Sequence, residues 1–179
     1  MNIFYLDPDP QTAVHLHCDQ HVWKMPLETV QILCTALHRH GLATPYRPTH
    51  AKHPSVLWAG DTFANWRWLR DFGRLLFDEY TFRRGRRHAS QDVLESLPVT
   101  PPLPAGAWTP PPQAMPDRYK RDDPVAGYRA FYAGDKLVFP GKGPATWTKR
   151  PRPAFMPPAP VTLTPPDAGR GRAAGSARR

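Results

Sequence analysis

Three residues with complementary chemistry lie at helical spacing near the start of the chain: His21, Lys24 and Glu28. If residues 17–38 form one helix, the three fall on one face, in a polar stripe about 100° wide. The stripe also contains His17, Gln31, Thr35 and His38. A histidine, a lysine and a carboxylate provide general acids, general bases and a phosphate-binding cation. The stripe predicts an active-site cleft, in which Asp19 orients His21. The alternative is a narrow solvent-facing strip with incidental histidines.

The same segment has a second interpretation as a metal site. His17 and His21 are four positions apart, which places two ligands on one helix face. Asp19 and His15 are close in sequence and could complete the set. The chain has neither an HExxH motif nor a CxxC pair. A metal-dependent hydrolase or nuclease therefore stays an alternative, and we expect no bound metal.

A dense basic cluster follows the clearest helical pattern in the chain, and aromatic residues precede it. Cations beside exposed aromatic rings suit phosphate contacts and base stacking. Two aromatic residues and the last three residues of the cluster are therefore predicted to bind substrate: Trp58, Tyr80, Arg86, Arg87 and His88. In the alternative, the aromatic residues belong to the core, while Arg83 and Arg84 complement the helix dipole.

A polar island, QAMPDRYK at residues 113–120, follows a proline-rich stretch. It combines an amide, a carboxylate, a phenol and an amine, and loops carry function more often than cores do. Gln113, Asp117 and Tyr119 are therefore further candidates for substrate binding. Alternatively, Asp117 caps a turn and Met115 fills a gap in the bundle.

Helix start and stop signals predict six helical segments. They cover residues 10–17, 20–40, 55–59, 62–84, 90–97 and 124–137. Asp9, Asp19, Asp61, Ser90 and Asp123 are the expected N-caps. Pro26 either kinks the second helix or marks its true first turn. Residues 2–6 are β-prone, as an edge strand or a packed N-terminal arm. The fold class predicted is mainly α: a small helical bundle with at most one short N-terminal strand and a disordered C-terminal tail.

The 179 residues suffice for one domain, and proline marks its boundaries. We predict one helical domain at 1–151, with an internal proline-rich link at 98–116, and a disordered basic tail at 152–179. The net charge is +9, but residues 141–179 hold eight of the 24 Lys and Arg residues and one acid. Residues 1–140 therefore carry a net charge of only +2, so most of the non-specific attraction to polyanions comes from the tail.

Several classes of protein are excluded or disfavoured by the sequence. Two cysteines at positions 18 and 34 would lie about 24 Å apart on one helix, too far for a disulfide. The apolar start is too short for a signal peptide, and no apolar run could cross a bilayer. The chain contains no P-loop, GxGxxG or GxSxG motif. We expect a reduced cytoplasmic protein without a membrane partner and without a cofactor.

Five segments together resemble a family of small proteins found largely in phages and prophages. They are FYLDPDP, CDQHVWKMPLETVQILCTA, HPSVLW, EYTFRRGRRH and QAMPDRYK, and the CDxHVxKM stretch is the most distinctive. The resemblance covers about residues 2–153. It extends to the helical enzymes of phage thymine hypermodification, the amino acid:DNA transferases and putrescinyl-thymine pyrophosphorylases. Pro26 departs from the pattern, where an aliphatic residue is expected.

The resemblance implies an enzyme that replaces an activated hydroxymethyl group on a pyrimidine in DNA with an amine or amino acid, releasing pyrophosphate. It implies that the catalytic residues are Asp19, His21, Lys24 and Glu28, completed by His53, Arg86, His88 and Asp117. DNA would be held at its phosphates by Arg86, Arg87 and the basic tail. The alternatives are the metal-dependent hydrolase and a non-catalytic DNA-binding or host-interaction protein.

Overall fold

The computed structural model describes residues 1–158 and confirms a mainly helical fold. Its six α-helices are α1 (Pro10–Leu16), α2 (Asp19–Arg39), α3 (Pro54–Asp61), α4 (Phe63–Arg84), α5 (Gln91–Ser96) and α6 (Pro124–Asp135). A 3₁₀ turn spans Asp117–Tyr119, and two short strands, β1 (Val138–Phe139) and β2 (Gly143–Pro144), form an antiparallel hairpin. None of the helices in the described residues combines the length and apolar character needed to cross a membrane.

The core lies between α2 and α4, and α3 packs against both helices. The apolar faces of the two long helices supply fully buried side chains, among them Ile32, Leu33, Leu37, Trp66, Leu69 and Leu76. Gly73 allows close approach of the helices, because a Cβ atom there would lie 3.1 Å from Cγ2 of Thr29. The polar stripe of α2 therefore lies on a helix that is closely packed against α4.

The helix ends follow the capping chemistry of the sequence, with two shifts. Asp9 and Asp123 accept hydrogen bonds from the backbone of Thr12 and Val125, at 2.8 and 2.9 Å. Asp61 was expected to cap α4, but it ends α3, and the Thr62 hydroxyl accepts from the backbone instead. Likewise Cys18 occupies the N-cap position of α2, and Asp19 is its first residue.

Pro26 lies inside α2, and the helix is continuous from Asp19 to Arg39. The ring is buried, and the missing N–H falls in the second turn of the helix. The sequence left two alternatives open at Pro26: a kink in the helix, or the true first turn of the helix. Continuity keeps His21 on the same helix as Glu28.

Residues 3–6 form an extended N-terminal arm that is buried in the core rather than paired as a strand. Asn2 anchors the arm, since its side chain donates to the carbonyl oxygen of Ala114 at 3.0 Å and accepts from the Tyr128 hydroxyl at 2.8 Å. The paired strands come instead much later in the chain, after α6. The arm and this hairpin both border the second turn of α2.

Two proline-rich regions are more closely packed than predicted. In the link at 98–116, the backbone of Thr109 is bonded to the side chain of Asn65 at 2.9 Å. Residues 152–158 were assigned to the tail, yet Met156 is buried and Phe155 packs against Tyr132. The folded part therefore extends beyond the predicted boundary. The rest of the predicted tail, residues 159–179, lies outside the described residues.

Candidate active site

A cleft of about 380 Å³ opens between α2, the N-terminal arm, the end of α6 and the hairpin. His21, Lys24 and Glu28 line it, as the stripe on α2 predicted for a shared face. The other lining residues are Met1, Asn2, Phe4, Gln20, Met25, Phe131, Lys136, Phe139, Pro140 and Lys142. The volume lies within the range of small-molecule sites. The cleft therefore joins the polar stripe to groups that are distant in sequence.

His21 is held between aromatic rings on three sides. Phe4 stacks on the imidazole with 4.1 Å between ring centroids, and Phe139 meets it edge-on at 5.2 Å. Nδ1 of His21 lies 2.6 Å from the hydroxyl oxygen of Tyr132. Burial lowers the pKa of His21 well below its ordinary value, and the charges of Lys136 and Lys24 contribute. The ring is therefore neutral at pH 7, with Nε2 as the nitrogen not bound to Tyr132.

Three lysines give the cleft its electrostatic character: Lys24, Lys136 and Lys142. Among the described residues that line the cleft, Glu28 is the only acid. Its Oε1 lies 2.9 Å from Nζ of Lys24, and its Oε2 accepts from the backbone N–H of Asn2 at 3.2 Å. With His21 neutral, the side chains leave the cleft with an excess of positive charge, which suits an anionic ligand.

Asp19 does not contact His21, although it was expected to orient that residue. It pairs instead with the buried Arg83 guanidinium at 3.0 Å, and it accepts hydrogen bonds from the hydroxyl groups of Thr146 and Thr148. Thr148 also donates its backbone N–H to the carboxylate, at 3.0 Å. Asp19 thus fastens the segment after the hairpin to the start of α2. Tyr132 occupies the orienting position next to His21.

His17 lies at the end of α1 and outside the cleft. It is fully buried, and its Nδ1 lies 2.7 Å from the carbonyl oxygen of Ala13. Burial lowers its pKa to about 4. The metal interpretation required His17, His21 and Asp19 to converge, but each is bonded to a different partner. Within residues 1–158, no group of three His, Cys, Asp or Glu side chains has the arrangement of a metal site.

The basic turn after α4 is separate from the cleft. Arg87 forms ion pairs with Asp92 and Glu95 at 2.6 and 2.7 Å, so its charge is largely neutralised. Nε of Arg86 donates to the hydroxyl of Tyr80 at 3.3 Å. His88 packs edge-on against Tyr80, with 4.7 Å between centroids. This turn brings four predicted substrate-binding residues together, and none of them lines the cleft.

Trp58 and His53 have local structural contacts. Trp58 is buried, and its indole N–H donates to the carbonyl oxygen of Thr109 at 3.0 Å. His53 caps α3 by accepting from the backbone N–H of Ser55 at 3.2 Å. Burial lowers the pKa of His53, and the nearby carboxylate of Glu28 opposes that shift. His53 is thus near Glu28 without lining the cleft.

The loop at residues 113–120 holds the N-terminal arm, which lines the cleft. The side chain of Gln113 accepts from the backbone N–H of Arg121 at 3.0 Å and donates to its carbonyl oxygen at 2.6 Å, which closes the loop. Tyr119 donates to Asp135 at 2.7 Å, and Asp117 is exposed and paired with Lys120. None of the three predicted residues lines the cleft. Their loop supplies the carbonyl oxygen that holds Asn2.

The sequence analysis did not identify four residues that contribute to the site: Lys136, Lys142, Phe139 and Tyr132. They come from α6, the residue that follows it and the hairpin, more than 100 positions from His21. The signal that could have found the hairpin is FPGKG at residues 139–143, a turn with two glycines around a lysine. Gly141 and Gly143 both have positive φ, of 71° and 75°. This turn presents Lys142 at the mouth of the cleft.

Comparison with known proteins adds no relative. No protein-family model matches the chain, and neither the curated proteins nor the solved structures yield a significant match. The chemistry of the cleft therefore carries the functional argument.

Proposed function

We propose that this protein is a DNA base-modifying transferase, which joins an amine to an activated 5-hydroxymethyl pyrimidine and releases pyrophosphate. The observation that carries the proposal is the meeting of His21 with Lys24, Lys136 and Lys142 in one cleft. A neutral histidine beside a group of lysines supplies a proton acceptor and a binding site for a polyanionic leaving group.

The lysines are suited to the pyrophosphate. Lysine is a compact charge with three donors, and three such charges around one cleft attract phosphate oxygens. Lys24 is held in place by Glu28, whereas Lys136 follows the end of α6 and Lys142 lies in the turn of the hairpin. Charge builds up on the leaving oxygen as its bond to carbon breaks, and fixed cations stabilise that charge most in the transition state.

His21 is suited to the amine. In the proposed step, the amine lone pair forms a C–N bond to the methylene carbon, and the C–O bond to pyrophosphate breaks. The proton lost by the amine passes to Nε2 of His21. For Nε2 to accept it, Nδ1 must carry the ring proton and donate to Tyr132, while the Tyr132 hydroxyl donates to the thiol of Cys18, 3.4 Å away. This arrangement sets the tautomer that a general base requires.

The aromatic walls are suited to the pyrimidine. Phe131 and Phe139 line the cleft together with Phe4, and a base removed from the DNA stack is commonly held against such rings. Phe4 itself is occupied by stacking on His21. Phe131 is buried, and Nζ of Lys136 lies 4.6 Å from the centre of its ring. The half-buried ring of Phe139 is therefore the one left to meet a base.

The test is a reaction with DNA that contains 5-(pyrophosphoryloxymethyl)uracil, in the presence of a mixture of amino acids and polyamines. Mass spectrometry of the nucleosides should detect an aminated thymine, and pyrophosphate should appear in equal amount. The His21→Asn variant keeps a polar atom for Tyr132 but lacks Nε2, so its rate should fall by about 10²–10⁴-fold. Asn is also small enough to fit between the rings.

A matched control is Lys120→Ala, which removes a lysine that is paired with Asp117 outside the cleft. It should react like the unmodified chain. Binding of the DNA without any product, or equal rates for His21→Asn and Lys120→Ala, would overturn the transferase proposal.

A further inference from the structure

Trp23 and Leu27 form an exposed apolar edge on α2, outside the cleft. The side chains are 40% and 36% exposed, whereas most of α2 is buried. At 100° per residue, Leu27 lies about 60° from Lys24 around the helix, whereas Trp23 lies about 100° from Lys24 and about 160° from His21. Neither Trp23 nor Leu27 is among the residues that line the cleft. Aromatic side chains such as this indole are enriched at contact surfaces.

Two guanidinium groups from the end of α4 complete this surface. Cζ of Arg84 lies 4.5 Å from the centre of the Trp23 ring, in a cation–π arrangement. His88 lies close to the backbone of Trp23, and Arg86 belongs to the same turn. Both arginines are exposed, and neither forms an ion pair within the part of the chain that the structure describes. Arg87, by contrast, is neutralised by two carboxylates.

We propose that Trp23, Arg84 and Arg86 form the docking surface for the DNA strand that flanks the target base. The indole stacks on an unpaired neighbouring base, and the two guanidinium groups contact the phosphates on either side. The choice of DNA rests on the proposed function, and charge complementarity supports it independently.

A nucleic-acid strand fits this surface better than a membrane does. Single-strand sites combine a basic groove with aromatic side chains on which bases stack, and arginine adds cation–π contacts. An interfacial membrane site needs a wide apolar face, and here only Trp23 and Leu27 are apolar. The surface also predicts a preference for unpaired DNA over an intact duplex, because a stacked base in a duplex cannot meet the indole.

The test measures binding of a short fluorescein-labelled oligothymidylate to the full chain by anisotropy. The Trp23→Ala variant should raise Kd about tenfold, which corresponds to about 1.4 kcal/mol. Trp23→Phe keeps an aromatic ring and should recover most of the affinity. Arg84→Ala should reduce the slope of log K against log salt by about one. The basic C-terminal segment is the same in every variant, so its contribution cancels.

Control variants are available in a second groove, which Trp108 and Arg67 line and which includes neither Trp23 nor Arg84. Trp108 is 38% exposed, close to the exposure of Trp23, and Arg67 makes a cation–π contact with Phe63 at 5.7 Å. Trp108→Ala and Arg67→Ala should bind the oligonucleotide like the unmodified chain. Equal Kd values for Trp23→Ala and Trp108→Ala would overturn the docking surface.

The same measurements separate this inference from the transferase proposal, because the oligonucleotide carries no activated base. If Trp23→Ala weakens binding but no aminated product forms under any condition, the docking surface stands and the transferase proposal fails. If product forms and Trp23→Ala binds DNA normally, only the docking surface fails. Binding to phosphatidylserine vesicles that depends on Trp23, without an effect on DNA, would also overturn it.

Discussion

Nδ1 of His21 lies 2.6 Å from the hydroxyl oxygen of Tyr132, so a buried phenol on α6 positions the imidazole of α2. The same oxygen accepts from the backbone N–H of Cys18 at 3.0 Å. Burial raises the pKa of Tyr132 well above the ordinary value, so the hydroxyl keeps its proton. Two polar groups at the start of α2 thus share one buried oxygen atom of α6, which fixes both the ring orientation and the packing of α6 on α2.

Replacing Tyr132 with Phe should reduce the free energy of unfolding by about 1–3 kcal/mol, because the Cys18 N–H and His21 Nδ1 lose a buried partner. The loss is measured by urea unfolding. Tyr119→Phe, which removes an exposed hydroxyl bond to Asp135, is the control and should cost under about 1 kcal/mol.

If Tyr132 positions His21, the hydroxyl should also determine which ring nitrogen of His21 carries the proton. The ¹⁵N shifts of the two ring nitrogens should show a single Nδ1–H tautomer in the unmodified chain and a mixture in Tyr132→Phe. An unchanged tautomer in the variant would show that Tyr132 only packs.

Asp19→Ala should be among the most destabilising single substitutions in the domain. The change leaves the guanidinium of Arg83 buried with one fewer carboxylate and releases Thr148. Breaking a buried ion pair in this way costs about 3–5 kcal/mol. Urea unfolding measures the effect, with Asp71→Ala as the control. Asp71 forms only an exposed pair with Arg74 at 3.4 Å, so its loss should cost under about 1 kcal/mol. Similar losses for both variants would contradict a structural role for Asp19.

Much of the fold could be predicted from the sequence, because helix signals are local. The cap at Asp9 followed by Pro10 and the stop at Gly85 gave helix ends that lie within one residue of those observed. The hairpin was not predicted, since two-residue strands carry no periodic pattern. Residues 152–158 were misassigned because their burial depends on single contacts, such as Met156 with the core, that composition does not reveal.

Only the part of the candidate site that lies on one helix could be predicted from the sequence. His21, Lys24 and Glu28 share a face because helix geometry requires it, and Pro26 left only the continuity of the helix open. Lys136 and Lys142 reach the cleft through tertiary packing, which spacing along the chain cannot show. Asp19 was misjudged because a carboxylate next to a histidine in sequence can point elsewhere, and here it turns to Arg83.

The cleft lysines should bind pyrophosphate in the absence of any DNA. Lys136→Ala and Lys142→Ala should each weaken binding of inorganic pyrophosphate about tenfold, since a hydrogen bond to a charged group is worth about 1.5–3 kcal/mol. Isothermal titration calorimetry at two salt concentrations measures this, and the effect should shrink at high salt. Lys120→Ala is the control. Equal affinities for all three variants would place the anion site elsewhere.

The free energy of unfolding should fall as the pH is lowered from about 6.5 to 4, because buried histidines must be neutral in the folded chain. Burial lowers the pKa of His17 to about 4, so between that value and about 6.5 the unfolded chain binds a proton that the folded chain does not. Unfolding is therefore favoured by acid, and His17 alone contributes about 3 kcal/mol over this range. His21 adds to the same trend, since its pKa is also lowered.

The carboxylates of Asp19 and Glu79 also have lowered pKa values, against burial that alone would raise them. The hydroxyl of Thr146 and the guanidinium of Arg83 lower that of Asp19, and Arg150 with Arg83 lowers that of Glu79. Their stabilisation is lost at still lower pH, below about 4.

Urea unfolding at a series of pH values measures the contribution of His17, with His17→Asn as the comparison. Asn retains an N–H for the carbonyl oxygen of Ala13 and does not titrate in this range. The variant should lose about 3 kcal/mol less than the unmodified chain between pH 6.5 and 4. Parallel curves for the two proteins would show that His17 is not the neutral buried histidine that the packing requires.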